Sequence, residues 1–80
     1  MSVTYQSLGA TPASADRRRT LLAWMRERPT HQNLTARQIV DVSGIYGIWD
    51  GYERCYGDLM ALAVKRIVFR DDSRPIRWIA

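Results

Sequence analysis

The sequence predicts a single, mainly α-helical domain with a small β-hairpin at its C-terminal end. Three segments combine helix-starting residues with apolar residues at helical spacing, and the last fourteen residues change to β-branched and aromatic residues around a polar turn. The 80 residues suffice for one domain, and 46% apolar and 25% charged residues are typical of globular proteins. We therefore expect an α+β domain over residues 11–80, preceded by a flexible N-terminal arm over residues 1–10.

The first helix is expected to begin at Thr11-Pro12, because a hydroxyl cap followed by proline is typical of helix starts. Ser14 is an alternative cap one turn later. The apolar stripe of this helix is formed by Leu21, Leu22 and Met25. Pro29 cannot continue a helix and disfavours helical geometry in the residue before it, so the helix should end by Arg28.

A short second helix follows the polar connector of residues 30–33. Thr35 and Gln38 have the spacing of a capping box, in which each side chain bonds the other residue's backbone N–H. Gly44 is well placed for the left-handed position that ends a helix. The residues expected to face inward are Ala36, Ile39 and Val40.

The strongest helical periodicity of the chain predicts a third helix from about residue 51 to residue 66. Asp50 and Glu53 have the spacing of a capping box with an acidic cap. The stripe expected to face the core consists of Tyr52, Cys55, Tyr56, Leu59, Leu62 and Ala63. The residues expected on the outward side are Glu53, Arg54, Gly57, Asp58, Ala61 and Lys65.

Gly57 lies inside this third helix, where glycine costs roughly 1 kcal/mol relative to alanine. We infer that another group approaches the helix closely at this position. Packing against the second helix is the interpretation that we favour, and a DNA backbone is the alternative.

The C-terminal residues predict a β-hairpin. Residues 67–70 and 76–80 are rich in β-branched and aromatic side chains, and residues 71–75 between them form a polar turn. An isolated hairpin is marginally stable in water, so these strands should pack on the helices or pair with a third strand. Leu34 and its neighbours are the candidates for that third strand.

This order of elements resembles the winged helix-turn-helix DNA-binding domains of small transcriptional regulators and phage control proteins. Residues 34–44 resemble the second helix of the family, because both have a hydroxyl cap, two inward aliphatic residues and a terminal glycine. The third helix and the first wing strand resemble residues 56–62 and 65–70, and the returning wing strand resembles residues 74–78. The resemblance covers about residues 14–80 and implies that the third helix and the wing contact double-stranded DNA.

The sequence offers no set of catalytic or metal-binding residues. Cys55 and His31 are the only soft ligands, whereas a structural zinc site needs four, and no nucleophile–base pair has a recognisable spacing. We therefore expect a protein that is not an enzyme and that needs neither cofactor nor small-molecule substrate. The longest apolar run, residues 59–64, is too short for a membrane span, and no signal peptide is visible, so we expect a cytoplasmic location.

Basic residues are concentrated at both ends of the chain, which carries a formal net charge of +4. Residues 1–33 and 59–80 each contain five cations against two acidic residues, whereas residues 34–58 contain two against four. Basic terminal segments of this kind favour binding to a polyanion. The alternative interpretation is that these charges are ordinary solvated surface. The candidate DNA-binding residues are Arg17, Arg18, Arg19, Arg54, Lys65, Arg70, Arg74 and Arg77.

These candidates have different expected roles. Arg74 at the hairpin tip suits the narrow, negative minor groove of DNA, and Arg17–Arg19 suit the phosphate backbone. Arg54 suits a guanine contact, although an acidic residue one helical turn away is an alternative partner for it. Lys65 is also explained by the dipole at a helix C-terminus.

A competing hypothesis is a protein-interaction module. The apolar loop that follows the second helix would remain exposed and, together with the acidic middle of the chain, dock a protein partner or a second copy of this chain. The candidate interaction residues are Ile45, Tyr46, Ile48 and Trp49.

Overall fold

A computed structural model describes residues 12–47 and 51–80. The predicted arm over residues 1–10 and the caps predicted at Thr11 and Asp50 lie outside the described residues. The described elements are the helices α1 (Pro12–Glu27), α2 (Ala36–Ser43) and α3 (Gly51–Val64), a 3-10 turn (Pro29–His31), and the strands β1 (Phe69–Asp71) and β2 (Arg77–Ile79). The predicted combination of three helices with a C-terminal hairpin is thereby confirmed.

The helix α1 ends at Glu27, as the proline after Arg28 predicts. The chain then turns at Pro29, and two side chains from the connector return to the last carbonyls of the helix. His31 Nδ1 lies 2.6 Å from the carbonyl oxygen of Trp24, and the Gln32 amide donates to that of Met25 at 2.7 Å. These contacts satisfy acceptors that a helix end leaves without intrahelical partners.

The caps predicted for α2 are both confirmed. The Thr35 hydroxyl accepts a hydrogen bond from the backbone N–H of Gln38 at 3.1 Å, and the Gln38 side chain accepts one from the N–H of Thr35 at 2.9 Å. Gly44 follows the helix with φ of 72°, in the left-handed region. The start and the end of α2 therefore depend on contacts between residues that are close in sequence.

The hairpin is shorter than predicted, because the end of α3 occupies its first residues. The backbone N–H groups of Ile67 and Val68 both donate to the carbonyl of Leu62, at 3.0 and 3.4 Å, and that of Arg66 donates to Ala63 at 2.9 Å. These bonds cap the helix, so residues 67 and 68 are not available to a strand. The prediction that the first strand begins at Ile67 was wrong, since β1 begins at Phe69.

The hairpin pairs with the segment between α1 and α2, as predicted. Strands β1 and β2 are antiparallel, with Arg70 opposite Trp78. The backbone N–H of Trp78 donates to the carbonyl of Leu34 at 2.8 Å, and that of Asn33 donates to the carbonyl of Trp78 at 2.9 Å. Leu34 therefore adds a one-residue third strand beside β2 and ties the hairpin to the helices.

The core lies where the three helices and the hairpin meet. Its buried apolar residues are Leu21, Met25, Ala36, Ile39, Cys55, Leu59, Leu62, Val68 and Trp78. The predicted inward stripe of α3 is confirmed at Cys55, Leu59 and Leu62 but was wrong at Tyr52, which is 47% exposed. The Tyr52 ring contacts Tyr56 instead.

Two outward residues of α3 also require correction. Asp58 was predicted to face solvent, but it is 1% exposed, because arginines of α1 and a tyrosine surround its carboxylate. Gly57 is exposed, and a Cβ atom built on it would meet nothing within 4 Å. The favoured packing explanation for this glycine was therefore wrong.

Candidate nucleic-acid interface

Asp58 of α3 binds three side chains from two other parts of the chain. The Arg17 guanidinium donates to both carboxylate oxygens, at 2.6 and 2.9 Å, and Arg18 Nε donates at 3.0 Å. The Tyr46 hydroxyl donates to the same carboxylate at 2.8 Å. This cluster connects α1, α3 and the loop after α2, and its fork geometry is typical of a strong arginine–carboxylate pair.

The electrostatics of the cluster favour the charged forms of the acid and the arginine. Burial alone would raise the pKa of Asp58, but the hydrogen bonds from Arg17, Tyr46 and Arg18 outweigh it and lower that pKa. The hydrogen bond to Asp58 raises the pKa of Arg17. Burial, followed by the bond to Asp58, raises the pKa of Tyr46, so its hydroxyl remains a donor. Arg17 and Arg18, both predicted to contact phosphates, are thus engaged by a buried carboxylate.

Three other candidate arginines also have partners within the protein. Arg19 is exposed and pairs with Asp16 one turn earlier in α1. Arg70 pairs with Asp72 at 2.6 Å and lies over a core ring, with its guanidinium carbon 6.0 Å from the Trp78 centroid. The Arg77 side chain donates to a backbone carbonyl of the connector at 3.3 Å. All three stand near the surface, but each guanidinium already has a contact.

Arg54, Lys65 and Arg74 are exposed. Arg54 lies on α3, and Lys65 follows the last residue of that helix. Arg74 lies in the loop between β1 and β2, as the sequence predicts for the tip of the hairpin.

A groove between α2, α3 and the hairpin loop has a volume of about 340 Å³. We call it the aromatic groove; its lining residues are Thr35, Ala36, Arg37, Tyr52, Tyr56, Pro75, Ile76 and Trp78. Arg37 belongs to the first turn of α2, and Arg74 immediately precedes the lining residue Pro75. Two cations from distant parts of the sequence therefore lie at or next to the same groove.

The rings in this groove form a connected set. The Arg37 guanidinium lies over Tyr52, 5.5 Å from the ring centroid. The Tyr52 and Tyr56 rings are 6.2 Å apart at 20°, and Tyr56 meets Trp78 edge-on, 5.7 Å away at 84°. The arrangement offers flat apolar surface beside a guanidinium, which is chemistry suited to planar anionic ligands.

Arg37 was not among the functional candidates predicted from the sequence. Tyr52 was assigned to the core by its periodicity. The available signal for Arg37 was its place in the first turn of a helix with a capping box. That signal indicates only where the helix begins, so the groove could not be inferred from it.

A second groove, of about 310 Å³, lies between α1 and the end of α3. It brings together three of the predicted cations, Arg18, Arg19 and Lys65, above an apolar floor. Among the described residues, its lining has no member in common with the aromatic groove. Three of the predicted cations therefore line this second groove, whereas the only cation in the lining of the aromatic groove, Arg37, was not predicted.

The alternative interaction loop is only partly described. Ile45 and Tyr46 are half-buried against the core, and the Tyr46 hydroxyl is held by Asp58. The expectation of an exposed apolar loop was therefore wrong for these two residues. Ile48 and Trp49 lie outside the described residues.

The chain was compared with protein-family models, with curated proteins and with solved structures, and none of the three comparisons found a match. Within residues 12–47 and 51–80, no group of histidine, cysteine and acidic side chains is suited to holding a metal ion. The helices in the same part of the chain all lack the combination of length and apolarity needed to cross a membrane.

Proposed function

We propose that this chain is a small, non-enzymatic protein of the winged helix-turn-helix type that binds duplex DNA. In this proposal the phosphate backbone passes between the first turn of α2 and the hairpin loop, where Arg37 and Arg74 hold it. The protein acts by occupying a DNA site, as a transcriptional regulator or phage control protein does.

The observation that carries the proposal is a cation in the lining of the aromatic groove, with a second cation next to that lining in sequence. Arg37 lines the groove, and Arg74 adjoins the lining residue Pro75 on the opposite element. None of the lining residues is acidic, so a phosphate placed there meets positive charge without a competing carboxylate in the lining. Phosphate contacts of this kind supply most of the sequence-independent affinity of DNA-binding proteins.

The fold supports the same proposal. The chain order is α1, the Leu34 bridge, α2, α3 and the hairpin, which corresponds to the element order of the winged helix family that the sequence resembles. The hairpin is held to the helices by Leu34 and Trp78, so its loop has a fixed neighbour in the first turn of α2. A positioned loop of this kind can present Arg74 to a duplex.

The pairing of Asp58 changes which cations we expect to contact phosphate. Arg17 and Arg18 are held by a buried carboxylate, so we assign the main phosphate contacts to Arg37 and Arg74. We assign supporting phosphate contacts to Lys65, Arg54, Arg70 and Arg77. Arg19 is the only residue of α1 to which we still assign a phosphate contact.

The test is a titration of duplex DNA at increasing salt concentration. Each phosphate contact contributes roughly 0.9 to the negative slope of log K against log salt. We expect Arg37→Ala and Arg74→Ala each to weaken binding and to flatten the slope by about one unit. Binding that is absent at low salt, or that hardly changes with salt, would refute the proposal.

Arg26→Ala is the matched control. Arg26 is an exposed arginine of α1 and lines a different surface, together with Thr20, Ala23, Trp24 and Glu27. Its removal changes the net charge as much as the loss of Arg74 does. If Arg26→Ala flattens the slope as much as Arg74→Ala, the affinity follows net charge and the assignment to the aromatic groove fails.

A further inference from the structure

We propose that the aromatic groove stacks an unpaired base of DNA, and that the protein therefore prefers a duplex containing one extrahelical base to a fully paired duplex. This inference rests on the proposed function and names its substrate class. In it, the base lies on the Tyr52 ring while its flanking phosphates contact Arg37 and Arg74.

The exposure of Tyr52 is the first observation behind this inference. A tyrosine at this position matches the helical periodicity of the core, yet Tyr52 is 47% exposed and lines an open groove. It packs on Tyr56, which in turn contacts the buried Trp78 edge-on. The ring is therefore a supported and accessible flat surface.

The position of Arg37 is the second observation. Its guanidinium covers the Tyr52 ring at 5.5 Å, and the Arg37 residue is exposed. A guanidinium plane and a tyrosine ring are both surfaces on which proteins stack unpaired bases. In the proposed complex the exposed Arg37 side chain leaves the ring and covers the outer face of the bound base.

The charge and shape of the groove select the ligand further. Pro75 and Ile76 form the wall opposite α3, and Thr35 adds a hydroxyl at the edge. The lining residues include a cation and no carboxylate, so an anionic ligand is favoured over a cationic one. A nucleotide combines a planar ring with a phosphate, which matches this combination of surfaces.

The experiment compares two DNA probes that differ by one base. One is a paired duplex, and the other is the same duplex with a single extrahelical thymine, each measured by fluorescence anisotropy. We expect wild-type protein to bind the bulged probe more tightly. Tyr52→Ala should weaken binding to that probe by roughly 5- to 150-fold, the effect of losing one stacked base, and leave the paired probe within twofold.

Two further variants separate stacking from packing. Tyr52→Phe keeps the ring and should retain the preference for the bulged probe, whereas Tyr52→Leu keeps apolar bulk without the ring and should lose it. Phe69→Ala is the control for loss of an exposed aromatic residue, because Phe69 is 59% exposed and, paired with Ile79, lies on the hairpin face opposite Trp78. It should leave both probes unchanged.

The outcomes distinguish this inference from the proposed function. Equal wild-type affinity for the two probes, or a Tyr52→Leu variant that keeps the preference, overturns the stacking site while duplex binding stands. Failure to bind either probe overturns both. Binding of a proline-rich peptide in the groove, with no preference for the bulged probe, would identify a peptide site instead and overturn the inference.

Discussion

Gly57 lies in the middle of α3, with its Cα facing solvent and open space where a side chain would be. Replacing it with alanine adds a methyl group that meets no atom within 4 Å. Glycine in an exposed helix interior costs about 1 kcal/mol relative to alanine, partly because it leaves the unfolded chain more freedom. We therefore expect Gly57→Ala to raise the free energy of unfolding by about 1 kcal/mol and Tm by roughly 4–8 °C.

Two other glycines provide matched controls for the same substitution. A Cβ at Gly51 would lie 3.0 Å from Tyr46 Cβ and 3.4 Å from Val40 Cγ1. These neighbours would have to shift by a few tenths of an ångström in a packed region, so Gly51→Ala should lose about 1–3 kcal/mol. Gly44 has open space but a φ of 72°, and alanine there should cost about 1 kcal/mol in backbone strain.

Urea denaturation followed by circular dichroism measures all three variants on one scale. The expected order of stability is Gly57→Ala above wild type, and wild type above the other two. A Gly57→Ala variant that is less stable than wild type would refute the reasoning, because it would mean that the space beside Gly57 is filled in the folded protein.

Two further predictions concern Asp58 and Arg66. Asp58→Asn should lower the free energy of unfolding at neutral pH by about 2–4 kcal/mol, because Arg17 and Arg18 lose their carboxylate. Folding lowers the pKa of Asp58. The wild type therefore keeps this stabilisation above about pH 4 and loses it as the pH falls through the folded-state pKa. Urea midpoints measured across pH should show this loss at acidic pH in the wild type and not in the Asp58→Asn variant. Arg66 lies two residues after the end of α3 and has φ of 60°, where glycine is favoured, so Arg66→Gly should raise the free energy of unfolding by about 1 kcal/mol. A lower urea midpoint for that variant would contradict this account of the helix end.

The parts of the fold that could be predicted depend on residues close in sequence. Pro29 stops α1, Thr35 and Gln38 cap each other across one turn, and Gly44 ends α2 in the left-handed region. Each of these signals works through a single backbone position and does not need the rest of the molecule. The role of Leu34 as a third strand could be inferred because a two-stranded hairpin needs a further partner.

The parts that could not be predicted depend on contacts between distant residues. The burial of Asp58 requires Arg17 and Arg18, which lie 41 and 40 positions earlier in the chain. Periodicity assigns a charged residue to the surface and has no means of anticipating such a partner. The aromatic groove likewise exists only once α2, α3 and the hairpin loop have folded together. No residue close to Arg37 in the sequence therefore indicates that Arg37 lines a groove.

The same long-range pairing determines which cations can serve the proposed interface. A count along the sequence gives Arg17 and Arg74 equal weight in the net charge of +4. In the fold, Arg17 makes two bonds to a buried carboxylate, whereas Arg74 is exposed in the hairpin loop. Salt-dependent DNA affinity arises when a cation displaces counterions from a phosphate, and a guanidinium held by a carboxylate cannot do so without losing that partner. The salt slope should therefore follow the number of cations that contact phosphate, Arg37 and Arg74 foremost, rather than the formal charge of the protein.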